Sequence, residues 1–264
     1  MNFRELHHQD QPLIMPNPWD IGTARLYESM GFLALATTSS GHAYTIGRAD
    51  GVRAVSRDEA LDHAASLAAA VSVPINGDLE RGYGDSPADV AETVRRAADA
   101  GLAGCSIEDS TGINDDPIYD PGLATERVAA AVEAARDSSE DFVLTARAEN
   151  FLHGRRDLAD TISRLQAFQD VGADVLYAPR ITDLEMMAEL IRSVDRPVNA
   201  LARPHWTVDE LAEIGVSRIS VGGAMAVSAF ATAMLAAQEV LAEGTFTYTN
   251  AIPDGFNLNE LFLT

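Results

Sequence analysis

The fold of this chain is decided by the stretch Asn76-Gly77-Asp78-Leu79-Glu80-Arg81-Gly82-Tyr83-Gly84-Asp85, which follows an apolar run from Val71 to Ile75. Such a run predicts a buried strand. Asp78 and Glu80 alternate along the chain, so their carboxylates would share one face where the strand ends. The glycines of the stretch then allow the backbone to turn sharply. Paired carboxylates beside a glycine turn suit a hard divalent cation such as Mg²⁺, although a solvated acidic turn would have the same spacing.

Outward from this stretch, short apolar strands alternate with alanine-rich amphipathic helices along the chain. We expect strands at 13–15, 32–36, 71–75 with its acidic end, 104–109, 142–147, 174–178, 197–202 and 218–221. Helices are expected at 20–30, 56–70, 86–100, 124–136, 157–171, 183–194, 207–214 and 224–243. Eight strand–helix units predict an α/β fold of the (β/α)8 TIM-barrel type. An open doubly wound sheet is the alternative, but no GxGxxG motif follows the first strand.

A single barrel domain can account for all 264 residues, with the barrel over about 13–243. The C-terminal tail, 244–264, keeps many large apolar side chains, namely Phe246, Tyr248, Phe256, Leu258, Leu261 and Phe262. We expect an end segment this apolar to pack on the barrel or on a neighbouring subunit.

The composition excludes several classes of function. All 19 basic residues are arginines. Schiff-base enzymes and P-loop proteins need a lysine, so both are excluded. A net charge of −21 argues against nucleic acids and anionic membranes as partners. Carbon–carbon or phosphoryl chemistry would therefore need another electron sink, and a metal ion is the simplest one.

The remaining features favour a cytoplasmic location. No apolar run in the sequence approaches the ~18 residues of a membrane span, and the N-terminal residues lack the order of a signal peptide. The single cysteine, Cys105, excludes an internal disulfide and is expected to be a small core residue of the fourth strand. We expect His7 and His8 to be surface residues of a loose N-terminus.

In a barrel the chemistry lies at the carboxyl ends of the strands, so the residues that follow each strand are the candidates. They are Trp19 and Asp20, Thr38 to Ser40, Asp78 and Glu80, Glu108 and Asp109, Arg147 and Glu149, Arg180, and Arg203 to His205. Acidic residues group on the third and fourth strands, and arginines on the fifth to seventh. This grouping predicts a cation site beside an anion site, suited to a small substrate that chelates Mg²⁺ and holds a carboxylate on arginine.

In these residues the chain resembles the isocitrate lyase/phosphoenolpyruvate mutase superfamily, over about residues 16–223. Residues 78–84 are similar to its D-x-D-x-G-Y-G motif, and residues 101–109 to its G-x-A-G-x-x-I-E-D motif. Further positions match in the same order, namely Trp19-Asp20, Thr38 to Gly41, Thr145 to Arg147 and Gly172 to Asp174.

The resemblance implies an enzyme that cleaves a bond next to a 2-oxo acid carboxylate through an enolate-like intermediate. It implies Mg²⁺ or Mn²⁺, with Asp78 as the direct ligand and with Glu80, Glu108 and Asp50 holding metal-bound waters. Arg147 would stabilise the developing oxyanion. The implied substrate-binding residues are Trp19, Thr38, Ser39, Ser40, Gly41 and Asn199. Members commonly exchange their last helix in dimers or tetramers, and the long helix at 224–243 is compatible with that.

Three departures bear on the expected reaction. Residues 110–119 replace the K-x-C-G-H loop of the lyase branch and contain no cysteine, lysine or histidine. Pro179 stands where the mutase branch has a histidine, and Glu80 replaces the second aspartate of the metal motif. The proton donor is therefore open among His205, Tyr83 and a metal-bound water.

The sequence thus predicts a Mg²⁺-dependent lyase that cleaves a carbon–carbon bond in a small 2-oxo or 2-hydroxy di- or tricarboxylate. Phosphonopyruvate-type carbon–phosphorus chemistry is one alternative, and a non-catalytic protein that binds a 2-oxo acid is another. The expected partner is a small anionic 2-oxo acid rather than a nucleic acid or a membrane, and we expect a homodimer or homotetramer.

Overall fold

Eight parallel strands form the centre of the computed structural model, which describes residues 2–139 and 141–263. They are β1 (Leu13–Met15), β2 (Leu35–Ala36), β3 (Ile75–Asp78), β4 (Gly104–Glu108), β5 (Val143–Arg147), β6 (Val175–Tyr177), β7 (Val198–Leu201) and β8 (Arg218–Ser220). They pair in the order β1-β8-β7-β6-β5-β4-β3-β2. The Ala36 N–H donates to Pro16 O at 3.1 Å, which links β2 to the end of β1. The sheet is thus a nearly closed barrel, and the predicted (β/α)8 architecture is confirmed.

Helices surround this sheet. They are α1 (Ile21–Ser29), α2 (Ser39–Thr45), α3 (Arg57–Ala68), α4 (Pro87–Asp99), α5 (Pro121–Ser138), α6 (Leu158–Asp170), α7 (Leu184–Arg192), α8 (Val208–Glu213), α9 (Ala224–Glu243) and α10 (Leu258–Phe262). Ser56, Ser86 and Thr207 each form a capping box with the residue three positions on, which sets where α3, α4 and α8 begin. Leucine, valine and alanine side chains fill the layer between the helices and the strands.

Helix α2 was not expected from the sequence. No helix was predicted between the strand at 32–36 and the helix at 56–70, but Ser39–Thr45 forms α2. The Thr38 hydroxyl accepts the Gly41 N–H at 3.3 Å and so caps the start of this helix. The run has no regular apolar spacing, so the capping threonine is its main sequence signal. The predicted strand at 32–36 is correspondingly shorter, because only Leu35–Ala36 is extended.

The N-terminus is not a loose segment, and the prediction that His7 is a surface residue is wrong. Residues Glu5–His8 form a 3₁₀ helix, and His7 is only 3% exposed. Its Nδ1 is bonded to Phe3 O at 2.8 Å, and Arg218 Nη1 donates to its Nε2 at 3.3 Å. Burial, followed by the positive charge of Arg218, lowers the pKa of His7 to about 3. The imidazole is therefore a neutral part of the core.

Helix α9 lies outside the main core of the molecule. Its one buried residue is Ala226, while large apolar side chains such as Phe230 and Leu235 are exposed. By length and composition alone this 20-residue helix could cross a membrane, which corrects the expectation that the chain has no such segment. The short helix α10, farther along the tail, packs against α1. The exposed apolar face of α9 is therefore a surface that a partner could cover.

Candidate active site

A cavity of about 190 Å³ opens among the carboxyl ends of the strands. Its lining includes many of the predicted site residues, namely Thr38, Ser39, Ser40, Asp50, Asp78, Arg147 and Asn199. A wider groove of about 420 Å³ lies near the amino ends of β3 and β5, beside Ile75 and Phe142, and its described lining contains none of these residues. The smaller cavity is therefore the candidate active site.

Arg147, at the end of β5, is the centre of the charged groups in this cavity. Its guanidinium contacts Asp78 Oδ1 at 2.9 Å, Glu108 Oε2 at 3.1 Å and Glu149 Oε1 at 2.7 Å. The parallel register explains this meeting, because Glu108 on β4 pairs with Arg147, which in turn pairs with Tyr177 on β6. Burial lowers the pKa of Arg147, but the three carboxylates outweigh it and hold the pKa well above its usual range. Arg147 is therefore a permanent positive charge.

Asp78 is held in place by four neighbouring groups. Its Oδ2 accepts the Ser39 N–H at 3.0 Å, and its Oδ1 accepts the Ser106 hydroxyl at 3.3 Å besides Arg147. Its own N–H donates to the Thr37 hydroxyl at 2.7 Å. A carboxylate fixed by so many donors keeps one orientation, as a metal ligand or a ligand-binding group requires.

The other acidic residues raise one another's proton affinity. Burial, followed by the charge of Asp78, raises the pKa of Asp50. Burial, followed by the charges of Asp78 and Asp50, raises the pKa of Glu80 to about 7. Burial also raises the pKa of Glu108 well above its usual range, although Arg147 opposes this. One arginine does not neutralise all these carboxylates, so the cluster has a negative potential that favours a cation.

The acidic residues fit a divalent cation that takes one direct carboxylate ligand. Within residues 2–139 and 141–263, no three Asp, Glu, His or Cys side chains converge closely enough to hold a metal by themselves. A hard cation such as Mg²⁺ usually keeps several waters and binds one or two carboxylates directly. Asp78 can provide the direct ligand, and Asp50, Glu80 and Glu108 can accept hydrogen bonds from bound waters, as the resemblance implies.

The segment from the end of β2 into α2 places hydroxyl groups beside the acids. Thr38 Oγ1 and Ser40 Oγ lie 3.1 Å apart, and both residues line the cavity. Gly223, at the start of α9, approaches Ser40 so closely that an added Cβ would lie 2.2 Å from its Oγ. The position of Ser40 therefore depends on a glycine that is distant in sequence.

The far wall of the cavity contains polar residues that the sequence analysis did not assign to the site. Arg218 Nε donates to Asn199 Oδ1 at 2.8 Å, and Asn199 Nδ2 donates to Ser220 Oγ at 3.0 Å. The ring of Tyr177 lies under Arg147, with its centroid 5.1 Å from the guanidinium carbon. Asn17 also lines this side. Alternation along β8 predicts that Arg218 and Ser220 share one face, but it does not tell whether that face points into the barrel.

Several predicted site residues lie outside the cavity lining. Glu80 and Tyr83 lie behind Asp78, and the Tyr83 hydroxyl is 3.5 Å from Glu80 Oε1. Trp19 packs beside Gly41 of α2, where an added Cβ would lie 2.9 Å from Trp19 Cβ, so Trp19 supports this helix and neither residue lines the cavity. His205 is exposed, and its Nε2 is 3.2 Å from Thr182 O. The structure thus brings neither Tyr83 nor His205 into direct contact with the cavity.

The loop that replaces the cysteine-bearing loop is folded onto the protein. Ser110 forms a β-bridge with Ile118, and Arg53 Nε donates to Thr111 O at 3.0 Å. Cys105 is fully buried in β4, and burial raises the pKa of its thiol. That thiol is therefore a core group and not a substitute for the missing loop cysteine.

The glycine loop after β3 is fastened by Arg127 of α5, which is 1% exposed. Its guanidinium donates to Arg81 O, to Gly84 O at 2.9 Å and to Asp85 O at 2.5 Å. The same guanidinium lies 4.2 Å from the centre of the Tyr119 ring. The acidic motif is thus anchored to a helix through its backbone carbonyls.

The geometry and the motifs agree with comparisons to known proteins. The family model for phosphoenolpyruvate phosphomutase matches residues 3–241. The chain belongs to this family. The predicted resemblance to the isocitrate lyase/phosphoenolpyruvate mutase superfamily is thereby confirmed.

Three relatives illustrate the range of this family. The crystal structure of a Burkholderia cenocepacia J2315 protein described as a lyase/mutase is 52% identical, with a TM-score of 0.95 over 99% of this chain and 94% of that chain. The 2-methylisocitrate lyase of Escherichia coli K12 is 30% identical over 222 residues, which are 79% of this chain and 73% of that protein. An oxaloacetate acetylhydrolase in complex with its product oxalate is 26% identical, with a TM-score of 0.88 over 99% of this chain and 92% of that chain. This chain is therefore an enzyme of the carbon–carbon lyase or mutase type.

Proposed function

We propose that this family member is a Mg²⁺-dependent lyase that cleaves a carbon–carbon bond in a small 2-oxo dicarboxylate. The observation that carries the proposal is the placement of Asp78 and Arg147, 2.9 Å apart, in the lining of one cavity. Asp78 offers an anionic ligand for a cation, and Arg147 offers a fixed positive charge for an oxyanion. Both the anionic ligand and the positive charge are needed when a substrate chelates a metal ion and is cleaved to an enolate.

The size of the cavity supports a small substrate. Pockets for drug-sized ligands occupy ~300–1,000 Å³, whereas this cavity has about 190 Å³. A compact dicarboxylate of the oxaloacetate type suits this volume better than a branched tricarboxylate of the methylisocitrate type. The cationic lining, which includes Arg147, Arg180 and Arg218, suits an anion with more than one charge.

The residues of the chain divide the chemical work between them. A bound Mg²⁺ would act as a Lewis acid toward the carboxylate and 2-oxo oxygens of the substrate. The hydroxyls of Thr38 and Ser40, which line the same cavity, would hold the same carboxylate. In a substrate of the oxaloacetate type, the bond from C3 to the distal carboxylate would break, CO2 would leave, and the electron pair would move toward the 2-oxo group to give an enolate. Arg147 would stabilise the negative charge on that oxygen, and a proton donor would then protonate C3.

We infer that Tyr83 is a better proton donor than His205, acting through a bridging water because neither side chain lines the cavity. The Tyr83 hydroxyl lies 3.5 Å from Glu80, one of the acidic residues around Asp78. Burial, followed by the charge of Glu80, raises the pKa of Tyr83 well above its usual range, so the group keeps its proton. The His205 imidazole is instead engaged with the Thr182 carbonyl on an outer loop. A water held by the cation remains the other donor to be tested.

Carbon–phosphorus chemistry is the second candidate, because the family takes its name from a phosphomutase. The lining residue Pro179 weighs against it, since the mutase branch is expected to have a histidine at this position and proline can neither donate nor accept a proton. We therefore place carbon–carbon cleavage first.

A second copy of the chain is the proposed partner of α9. Large apolar side chains on this helix are exposed, and the resemblance implies that superfamily members commonly exchange their last helix between subunits. Covering α9 in a homo-oligomer would also bury the apolar side chains that make this helix similar to a membrane span. The proposed enzyme is thus a homodimer or homotetramer.

The test of the function is a substrate panel. The purified protein is incubated with Mg²⁺ and oxaloacetate, isocitrate, methylisocitrate or phosphonopyruvate, and products are followed by proton and phosphorus NMR. Asp78→Asn is the site variant, and Asp58→Asn, an aspartate in an exposed pair with Arg96, is the matched control. Cleavage of oxaloacetate by the wild type and the control, but not by Asp78→Asn, supports the proposal. Turnover that survives in Asp78→Asn contradicts it, and conversion of phosphonopyruvate alone favours the second candidate.

A further inference from the structure

Two arginines follow neighbouring strands at the carboxyl-end side of the barrel, where the active-site cavity opens. Arg180 follows β6 and lines the cavity, and Arg203 follows β7, the strand that pairs with β6. The two groups are near each other, since the charge of Arg180 is among the causes that lower the pKa of Arg203, after burial. In the described part of the chain, neither arginine forms a salt bridge with a carboxylate. Arg147 in the same cavity has three carboxylate partners, so the positive charge of this pair is much less compensated than that of Arg147.

Arg203 has hydrogen-bond donors that nothing in the protein accepts. Its Nε and Nη2 atoms are buried and have no partner among the described residues. A buried charged donor without an acceptor is costly, and native proteins rarely keep one without a reason. A ligand that brings acceptor oxygens would remove this cost.

The backbone at Arg180 is also in an unfavourable conformation. Its φ angle is +69°, in the left-handed region that favours glycine. The other described non-glycine residues with positive φ are Arg53, Glu80 and Tyr83, which lie in loops after β2 and β3 on the same side of the barrel. Strained residues of this kind cluster at functional sites. A glycine would relieve the strain, so the arginine side chain is retained here against a structural preference.

His205 ties together the two loops that carry these arginines. Its Nε2 is 3.2 Å from the carbonyl oxygen of Thr182, two residues beyond Arg180. His205 itself lies two residues beyond Arg203. The imidazole that the sequence suggested as a proton donor therefore connects the β6–α7 and β7–α8 loops and limits how far the two guanidinium groups can separate.

We propose that Arg180 and Arg203 bind the second, distal carboxylate of the substrate and make the enzyme selective for 2-oxo dicarboxylates over 2-oxo monocarboxylates. The inference rests on the proposed function, in which the Asp78–Arg147 end of the cavity holds the 2-oxo acid group. A carboxylate between the arginines would accept the unpaired donors of Arg203 and reduce the repulsion between the two positive charges.

The test compares two probes by titration calorimetry in the presence of Mg²⁺. Oxalate occupies only the 2-oxo acid end, whereas 3,3-difluorooxaloacetate adds a distal carboxylate. The variants are Arg180→Gly and Arg203→Met, and the control is Arg156→Gln, an exposed arginine of the β5–α6 loop. We expect each site variant to weaken difluorooxaloacetate binding by about tenfold or more, because a charge-assisted hydrogen bond is lost. Oxalate binding should change by less than about twofold, and the control should bind both probes normally.

Stability separates this role from a structural one. Arg180→Gly removes backbone strain and Arg203→Met removes unpaired buried donors, so both variants should unfold at the same urea concentration as the wild type or a higher one. Variants that are less stable and bind both probes equally weakly would overturn the inference. Unchanged difluorooxaloacetate binding would overturn it as well, while leaving the proposed function intact. If the wild type binds neither probe, the proposed function fails, and the inference that rests on it fails too.

Discussion

Arg147 Nη1 lies 2.9 Å from Asp78 Oδ1, so the residue expected to stabilise the oxyanion and the residue expected to hold the cation are bound to each other. The guanidinium neutralises the carboxylate in the protein by itself. A cation that binds Asp78 would take over part of this neutralisation and leave Arg147 freer to contact the substrate. Metal binding and substrate binding are thereby expected to support each other.

The first prediction concerns the buried charge of Arg147. Arg147→Met leaves Asp78, Glu108 and Glu149 without their common cation, and we expect a loss of about 3–5 kcal/mol in the free energy of unfolding. Mg²⁺ should recover part of this loss. Urea denaturation with and without Mg²⁺ measures both effects. The control is Arg48→Met, whose pair with Glu59 is exposed and should be worth about 0–1 kcal/mol. Equal losses in the two variants would show that Arg147 does not hold the cluster together.

The second prediction concerns the direct ligand. Asp78→Asn keeps the shape of the side chain but removes its charge, and we expect the affinity for Mn²⁺ to fall by about tenfold or more. Electron paramagnetic resonance of free Mn²⁺ measures the affinity without reference to activity. Asp58→Asn, on the exposed face of α3, should bind Mn²⁺ as the wild type does. Retention of Mn²⁺ binding in Asp78→Asn would place the metal elsewhere.

The third prediction concerns the contact between Gly223 and Ser40. In Gly223→Ala the new Cβ would lie 2.2 Å from Ser40 Oγ, so the serine must move away from its place in the cavity. We expect weaker oxalate binding, by about tenfold, with folding retained. Gly22→Ala is the matched control, because its nearest new contact is an ordinary 3.4 Å and alanine favours the helix. Calorimetry on both variants, with circular dichroism as a check of folding, decides the question.

The fourth prediction concerns the pH dependence introduced by His7. Its pKa is about 3 in the folded state and about 6.5 in an unfolded chain. The unfolded state therefore binds more protons between these values, so the contribution of His7 is complete above about pH 6.5 and is lost as the pH falls. From pH 7.5 to pH 5, His7→Asn should lose about 2 kcal/mol less stability than the wild type. Parallel urea titrations at the two pH values give this difference, and identical losses would mean that the imidazole is accessible to water.

The fifth prediction concerns the exposed face of α9. Leu235 and Leu33 are each 61% exposed, but only Leu235 lies on the face proposed to meet a second copy. Leu235→Arg should therefore shift the protein toward the monomer in size-exclusion chromatography with light scattering, whereas Leu33→Arg should not. A wild-type protein that is already monomeric at micromolar concentration would contradict the proposed exchange.

Much of the barrel could be predicted because most of its strands and helices have local sequence signals, such as apolar runs and capping residues. Ser56, Ser86 and Thr207 mark helix starts by their capping boxes, and the predicted bounds of α9 agree with Ala224–Glu243. Helix α2 could not be predicted with the same means, since it is short and lacks an apolar stripe. Its formation depends on contacts with other parts of the barrel, such as the bond from the Ser39 N–H to Asp78.

Site residues at the ends of neighbouring strands could be predicted from the sequence. Contacts between side chains far apart along the chain could not. Asp78, Glu108 and Arg147 end neighbouring strands, so the topology alone brings them together. The environment of His7 was missed because its partner Arg218 is 211 positions away along the chain. Tyr177 and Ser220 were missed because the inward faces of short apolar strands cannot be told from the outward faces before the register is known.

The hydrogen bonds from Arg127 to the glycine loop determine which substitutions the acidic motif can accept. Its guanidinium donates hydrogen bonds to the carbonyl oxygens of Arg81, Gly84 and Asp85, and every residue has a backbone carbonyl whatever its side chain. These hydrogen bonds therefore do not depend on the side chain at position 80, whereas Gly82 and Gly84 are needed for the path of the loop. Either aspartate or glutamate at position 80 would leave these hydrogen bonds intact. The acidic side chains can therefore change while the backbone that supports them keeps its anchor.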